Sequence, residues 1–259
     1  MIGHGVRAVG LPEALFRGKV MVAHMEEFLY TALAGKPDEG RMAQIAADAR
    51  RSGAYVTPNL SFFEAIVRQW GHPEERARMF AHPLVPYLSP YTRWIWASPR
   101  RNYAAFTQGR NGIEGQYSFL QRLTREMHRQ GVPLLAGTDT PIIPGLLPGI
   151  GLVEDVRTLT EAGLTPWEAL ATATRNPGEF LAKYVPQSQP LGRVAPGLRA
   201  DLLLVAGDPT RSVDALRTPL GVMKAGHWRT AEELQVGLEA SRKAMDVVIR
   251  DAYGEGPRR

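Results

Sequence analysis

The chain has 259 residues, enough for one large domain or two modest ones with a buried core. With 44% hydrophobic and 22% charged residues it has the composition of a folded globular protein, and no apolar run approaches the roughly 18 residues of a spanning helix, so no membrane partner is expected. The absence of cysteine excludes disulfides, thiolate metal sites and a Cys nucleophile; the net charge of +5 rests on arginines that are scattered or paired outside any nucleic-acid-binding motif, so no nucleic-acid partner is expected either.

Residues 1–20 lack the basic start and apolar core of a signal peptide, and the expected location is cytoplasmic. Met1-Ile2-Gly3-His4-Gly5 reads as the end of a buried strand entering a loop, with further material expected upstream. A helix-like stretch at 11–17, a short β run at 19–23, an amphipathic helix at 41–51 and a strand beginning at 54–56 follow, in the rhythm of βα units. Residues 62–111 break that rhythm with Pro, Trp, Tyr and Arg in no period, and a compact loop or lid is expected there. A helix at 116–130, stopped by Gly131, leads to a buried strand at 132–136 and then to Gly137-Thr138-Asp139-Thr140. After a loop rich in Pro and Gly at 141–151, a helix is expected over 152–162, and Thr165-Pro166-Trp167-Glu168 forms a capping box that starts another. Beyond Tyr184, short strands at 191–194, 200–205 and 221–228 describe a small β appendage, and Thr230-Ala231-Glu232-Glu233 caps a last helix.

Three polar residues each follow an expected strand: His4, His24 and Asp139. In parallel α/β barrels the C-terminal strand ends converge on one mouth, so residues distant in sequence can meet there. Two imidazoles and a carboxylate are suitable donors for Zn²⁺ or a similar divalent ion, which lowers the pKa of a bound water toward about 7, and Asp139 would take that water's proton. Singly, each residue also reads as a packed histidine or a turn aspartate. Glu26 and Glu27 either orient the His24 ring or begin a solvated helix, and Asn59 either faces the mouth or caps the next helix. Tyr91, Trp94 and Trp96, among Arg93, Arg100 and Arg101, read as a lid gripping an aromatic or anionic substrate or as a packed flap.

Gly3-His4, Ala23-His24-Met25-Glu26-Glu27, Thr57-Pro58 and Ala136-Gly137-Thr138-Asp139, in this order, resemble the amidohydrolase superfamily, most of all the branch related to imidazolonepropionase and prolidase. The resemblance continues through Leu164-Thr165-Pro166-Trp167-Glu168-Ala169-Leu170, Ala173-Thr174-Arg175-Asn176-Pro177, Leu191-Gly192 and Gly197-Leu198-Arg199-Ala200-Asp201-Leu202, and covers nearly the whole chain except the insertion and the last helix. It implies an α/β fold: half of a TIM (β/α)8 barrel, strands five to eight with their helices, over residues 1–184. Part of a small β-sandwich would follow over 185–229, and a C-terminal helix and tail over 230–259. It implies that His4, His24 and Asp139 end strands five, six and eight as ligands of one or two divalent metals, with Zn the first choice of cofactor. Asp139 would move protons between metal-bound water and the leaving nitrogen of a small-molecule substrate, a cyclic amide or a proline-containing dipeptide.

The family's first strand supplies a His-x-His pair and its fourth often a carboxylated lysine, and nothing precedes His4 to match them. Lys19 starts its strand, at the wrong end to substitute, and His72, His82, His128 and His227 read as surface or packing residues. Four βα units cannot close an eight-stranded barrel, so two strand edges and an apolar interior are expected to need cover. Leaving several hundred Å² of it bare would cost on the order of 10 kcal/mol. The cover is expected from a longer polypeptide, from a second copy in a homo-oligomer, or from a complementing N-terminal half. The alternative reading is a non-catalytic amidohydrolase-like fragment that serves as an assembly partner.

Overall fold

The computed structural model describes residues 2–4, 18, 20–106 and 110–253; the helix expected over 11–17 and Lys19 lie outside them. Strands β1 (Ile2–Gly3), β2 (Met21–Ala23) and β3 (Tyr55–Thr57) form a parallel sheet in the order β1-β2-β3, and a parallel bridge from Val56 to Leu134 adds the segment after Gly131 to its side. Between them run α1 (Glu26–Ala32), α2 (Met42–Ser52), α3 (Leu60–Gln69), α4 (Pro73–Phe80), α5 (Pro90–Ala97) and α6 (Arg110–Arg129). The helices α7 (Ile150–Glu161), α8 (Pro166–Ala173) and α9 (Arg175–Tyr184) follow. A separate antiparallel sheet of β4 (Leu202–Val205), β5 (Pro219–Lys224) and β6 (His227–Thr230) precedes α10 (Ala231–Tyr253).

Alternation along the parallel strands sends neighbouring residues to opposite faces. Val22, Val56 and Leu134 point to the main core, where Phe28 and Leu29 of α1, Ile45 and Ala49 of α2, Leu60 and Phe63 of α3 and Leu123 and Met127 of α6 bury them. Tyr55 and Leu135 point the other way, onto Phe180, Leu181 and Tyr184 of α9, with the Phe180 ring edge-on to Tyr55 at 5.0 Å. On this face α9 covers Tyr55 and Leu135, whereas Ile2 of β1, in register with Met21 and Tyr55, is 55% exposed.

The strand expected over 132–136 is reduced to the single bridge. Leu135 N–H donates to the Val56 carbonyl (2.9 Å), but on the opposite edge Ala136 N–H donates to the Thr172 carbonyl (3.0 Å) and the Asn176 amide donates to the Leu134 carbonyl (2.9 Å). That edge, expected to be exposed, is satisfied by α8 and α9.

Where a loop or lid is expected, residues 107–109 lie outside the described residues and residues 62–106 are instead the rest of α3 followed by α4 and α5, joined by 3₁₀ turns. Their prolines start elements instead of breaking them: Pro73 and Pro90 occupy first helical positions, where the missing N–H costs nothing, and Ser89 Oγ caps α5 by accepting from Thr92 N–H (3.1 Å). No strand forms at 191–194, because Gly192 passes against the start of α9 so closely that a Cβ there would lie 2.5 Å from the Thr174 carbonyl oxygen. The expected strand 221–228 is a hairpin, broken at Ala225-Gly226 with φ of 50° and 82°. Asp201 of the Arg-Ala-Asp motif secures that turn by accepting from Ala225 N–H (2.7 Å). Among the described residues no helix is long and apolar enough to cross a membrane.

The capping box forms as read: Thr165 Oγ1 accepts from Glu168 N–H (3.3 Å) and Glu168 Oε2 accepts from Thr165 N–H (2.8 Å). Thr165→Ala is expected to lower stability by about 1 kcal/mol in urea denaturation, with the slope unchanged; an unmoved midpoint would contradict this role of the cap.

Candidate functional site

The C-terminal ends of the parallel strands carry His4, His24, Asn59 and Asp139. Non-glycine residues seldom adopt positive φ, and His, Asn and Asp do so more readily than most. His24 (69°), Asn59 (54°) and Asp139 (52°) all do, His24 and Asn59 one and two residues past their strands and Asp139 five past the bridge at Leu134. One carbonyl joins two of these ends: Thr57 O accepts from His24 N–H (2.9 Å) and from the Asn59 side-chain amide (3.3 Å). The Asn59 amide oxygen, oriented to complement its surroundings, accepts from Asp139 N–H (3.3 Å). Asn59 is thus buried within this lattice and links the mouth, instead of capping α3 with its side chain.

His4 and His24 are brought together, their rings stacked with centroids 4.6 Å apart and planes 20° from parallel. Each faces a carboxylate: His4 Nδ1 lies 3.1 Å from Glu27 Oε1, and His24 Nδ1 lies 3.8 Å from Glu26 Oε1. Glu27 is 1% exposed whereas His4 is 63% exposed, so the start of α1 is not the solvated face that its two acids suggest. The Glu27 carboxylate at hydrogen-bond distance of Nδ1 orients the His4 ring and leaves Nε2 as the nitrogen free to ligate, as outer-sphere groups do at metal sites.

The donor chemistry suits a divalent ion such as Zn²⁺, and His4 and His24 would supply two of the donors that such an ion needs. Among the described residues no group of three or more His, Asp or Glu side chains stands close enough to hold an ion. Asp139 is exposed and is joined to His24 through Thr57 and Asn59, with no direct contact to either imidazole among the hydrogen bonds described. His72 pairs with Glu74 and His82 Nδ1 accepts from Leu84 N–H, both local contacts, while His128 pairs with Glu168 and so links α6 to α8. Of the aromatic set, Trp96 is packed in the interior and its indole N–H donates to the Pro141 carbonyl (2.7 Å), while Tyr91 and Trp94 stack on each other in solvent.

Asp155 of α7 was not legible as part of this region. Fully buried, it accepts from Ser61 N–H (3.2 Å), Ser61 Oγ–H (2.9 Å) and Gly137 N–H (2.9 Å). It thereby ties the first turn of α3 to the segment leading into Asp139. Gly137 is required there, since a Cβ would lie 2.3 Å from Thr57 Cγ2. Burial pushes the Asp155 carboxyl up to about 6, against the pull of its three donors.

No family model and no curated protein matches the chain at the level of sequence. Solved structures do match in fold. A bottromycin amidohydrolase aligns with a TM-score of 0.67 and 23% identity over 94% of this chain and 53% of its own. A Xaa-Pro dipeptidase with methionine bound in its active site aligns with a TM-score of 0.57 and 17% identity over 85% and 42%. A further amidohydrolase gives 0.52 and 24% over 88% and 43%. The chain shares its fold with part of each of these structures and spans about half of their length.

The raised Asp155 pKa fixes the sign of one pH effect. The stability it confers is fully present below the unfolded value near pH 4 and is lost as pH rises through about 6. The predicted loss is at most about 3 kcal/mol between pH 4 and 7. Comparing wild type with Asp155→Asn across that range by denaturant titration should show it; identical pH profiles would contradict the shift.

Proposed function

We propose that the chain is the C-terminal part of a metal-dependent hydrolase of carbon–nitrogen bonds in non-peptide amides, cyclic amides or dipeptides. Residues 1–184 would form half of a (β/α)8 barrel and residues 185–229 part of a sandwich. The observation that carries this reading is the meeting of His4 and His24 at the ends of neighbouring parallel strands, with Asp139 tied to the same ends, in a chain whose fold matches amidohydrolases and a dipeptidase.

In this reading His4 and His24 are donors of an incomplete site for a divalent metal, first of all Zn²⁺, and groups outside the described residues complete it. Asp139 is the proton carrier. As water oxygen bonds to the carbonyl carbon, its carboxylate takes the water's proton; as the carbon–nitrogen bond breaks, it returns that proton to the departing nitrogen. Exposure of Asp139 leaves it accessible to a small-molecule substrate, and its backbone anchors keep its place at the sheet end. The complement would be the rest of a longer polypeptide, a second copy, or an N-terminal half on another chain.

A second reading, a non-catalytic scaffold that serves as an assembly partner, is favoured by the lack of a three-donor group among the described residues. Turnover separates the two. With Zn²⁺ or Mn²⁺ present and the remainder of the fold supplied on one polypeptide or in trans, lactams and Xaa-Pro dipeptides should be hydrolysed. Asp139→Asn should then reduce kcat by about 10²–10⁴-fold. Failure of the completed protein to cleave any such bond, or full activity of Asp139→Asn, would overturn the hydrolase reading.

A further inference from the structure

We infer that Asn59 and Asp155 are positioning residues for Asp139, two buried side chains that together hold the backbone of residues 137–139. The inference rests on the reading above in one respect, that Asp139 carries the proton; the hold itself is independent of it.

Regular strand pairing ends before Asp139. The last main-chain bond of this segment before the turn runs from Ala136 N–H to the Thr172 carbonyl. From there the backbone donors turn to side chains. Gly137 N–H goes to Asp155 Oδ2, Asp139 N–H goes to the Asn59 amide oxygen, and Thr140 N–H goes to Thr138 Oγ1. Asn59 and Asp155 come from elements distant in sequence but converge on one structure, the first turn of α3, where Asp155 also takes both Ser61 donors.

Two features argue that this arrangement serves the position of Asp139 and not cohesion alone. Asp139 is exposed yet left-handed at φ 52°, a conformation that non-glycine residues seldom adopt, and its neighbours' side chains bond the backbone that carries it. The clamp also spans two carboxylates of opposite setting: Asp155 is sealed and saturated with donors, so it cannot act on a substrate, whereas Asp139 stands in solvent at the end of the segment that Asp155 holds. A small displacement of a proton-transfer group is costly, up to about 10²-fold for 1 Å.

The first test is amide hydrogen exchange on the chain itself. In Asn59→Ala the Asp139 amide is expected to exchange at least about tenfold faster, and in Asp155→Asn the Gly137 and Ser61 amides, while Leu135, bonded to Val56, keeps its protection. The second is turnover of the completed protein on the same substrates. Both variants should lower kcat about 10- to 100-fold with KM within about threefold, whereas Val213→Ala, a core truncation chosen to match their loss of stability, should keep its kcat. Unchanged exchange at Asp139 in Asn59→Ala overturns the hold. Kinetics in both variants equal to those of Val213→Ala overturn the positioning role. Full turnover of Asp139→Asn would instead refute the function of Asp139 while leaving the exchange result to decide the hold.

Discussion

The sheet end is organised by a single shared acceptor. Thr57 O takes the His24 N–H and the Asn59 amide at once, and Asn59 passes the connection to Asp139. In a buried setting each of these groups would be costly to leave unmatched, at about 1–3 kcal/mol apiece. Three residues in sparsely populated backbone conformations are therefore held by a lattice whose bonds depend on one another. Removing one member exposes a partner, which is why the geometry of His24 and Asp139 is coupled although their side chains do not meet.

The layers beneath make such a lattice possible. The parallel strands are covered by α1, α2, α3 and α6 on one face, and α9 packs on Tyr55 and Leu135 of the other, so the ends of β3 and of the segment leading to Asp139 sit on a support packed from both sides. The ion network of α7 adds lateral rigidity: Arg157 reaches Glu64 of α3 as well as Glu154 and Glu161 of its own helix, and Arg217 also pairs with Glu154. Glu64 and Asp155 thus dock α3 and α7 at two levels, the first through charge and the second through hydrogen bonds to Ser61.

Much of this arrangement was legible in the sequence, because apolar runs followed by a polar residue pick out His4, His24 and Asp139, and the capping box at Thr165 fixes its own helix start. Other parts were not. Prolines in residues 62–111 read as breakers, although position within a helix decides their effect and here they stand at helix starts. The apolar run at 132–136 marked a buried strand but carried no sign that Thr172 and Asn176 would take its outer edge. Asp155 was overlooked because a charged residue in an amphipathic helix usually faces water. The available signal was its spacing of four from Gly151 and Leu159, both on the buried stripe. The stacking of His4 on His24 had no sequence signature, since it depends on the angles at which two strand ends leave the sheet.

The most direct measurement is scalar coupling across the hydrogen bonds themselves, by NMR on uniformly ¹⁵N,¹³C-labelled protein. Resolvable couplings from the His24 amide nitrogen to the Thr57 carbonyl carbon and from the Asp139 amide nitrogen to the Asn59 side-chain carbonyl carbon are the predicted result. Absence of both, with couplings intact in the helices, would contradict the shared-acceptor account of the site.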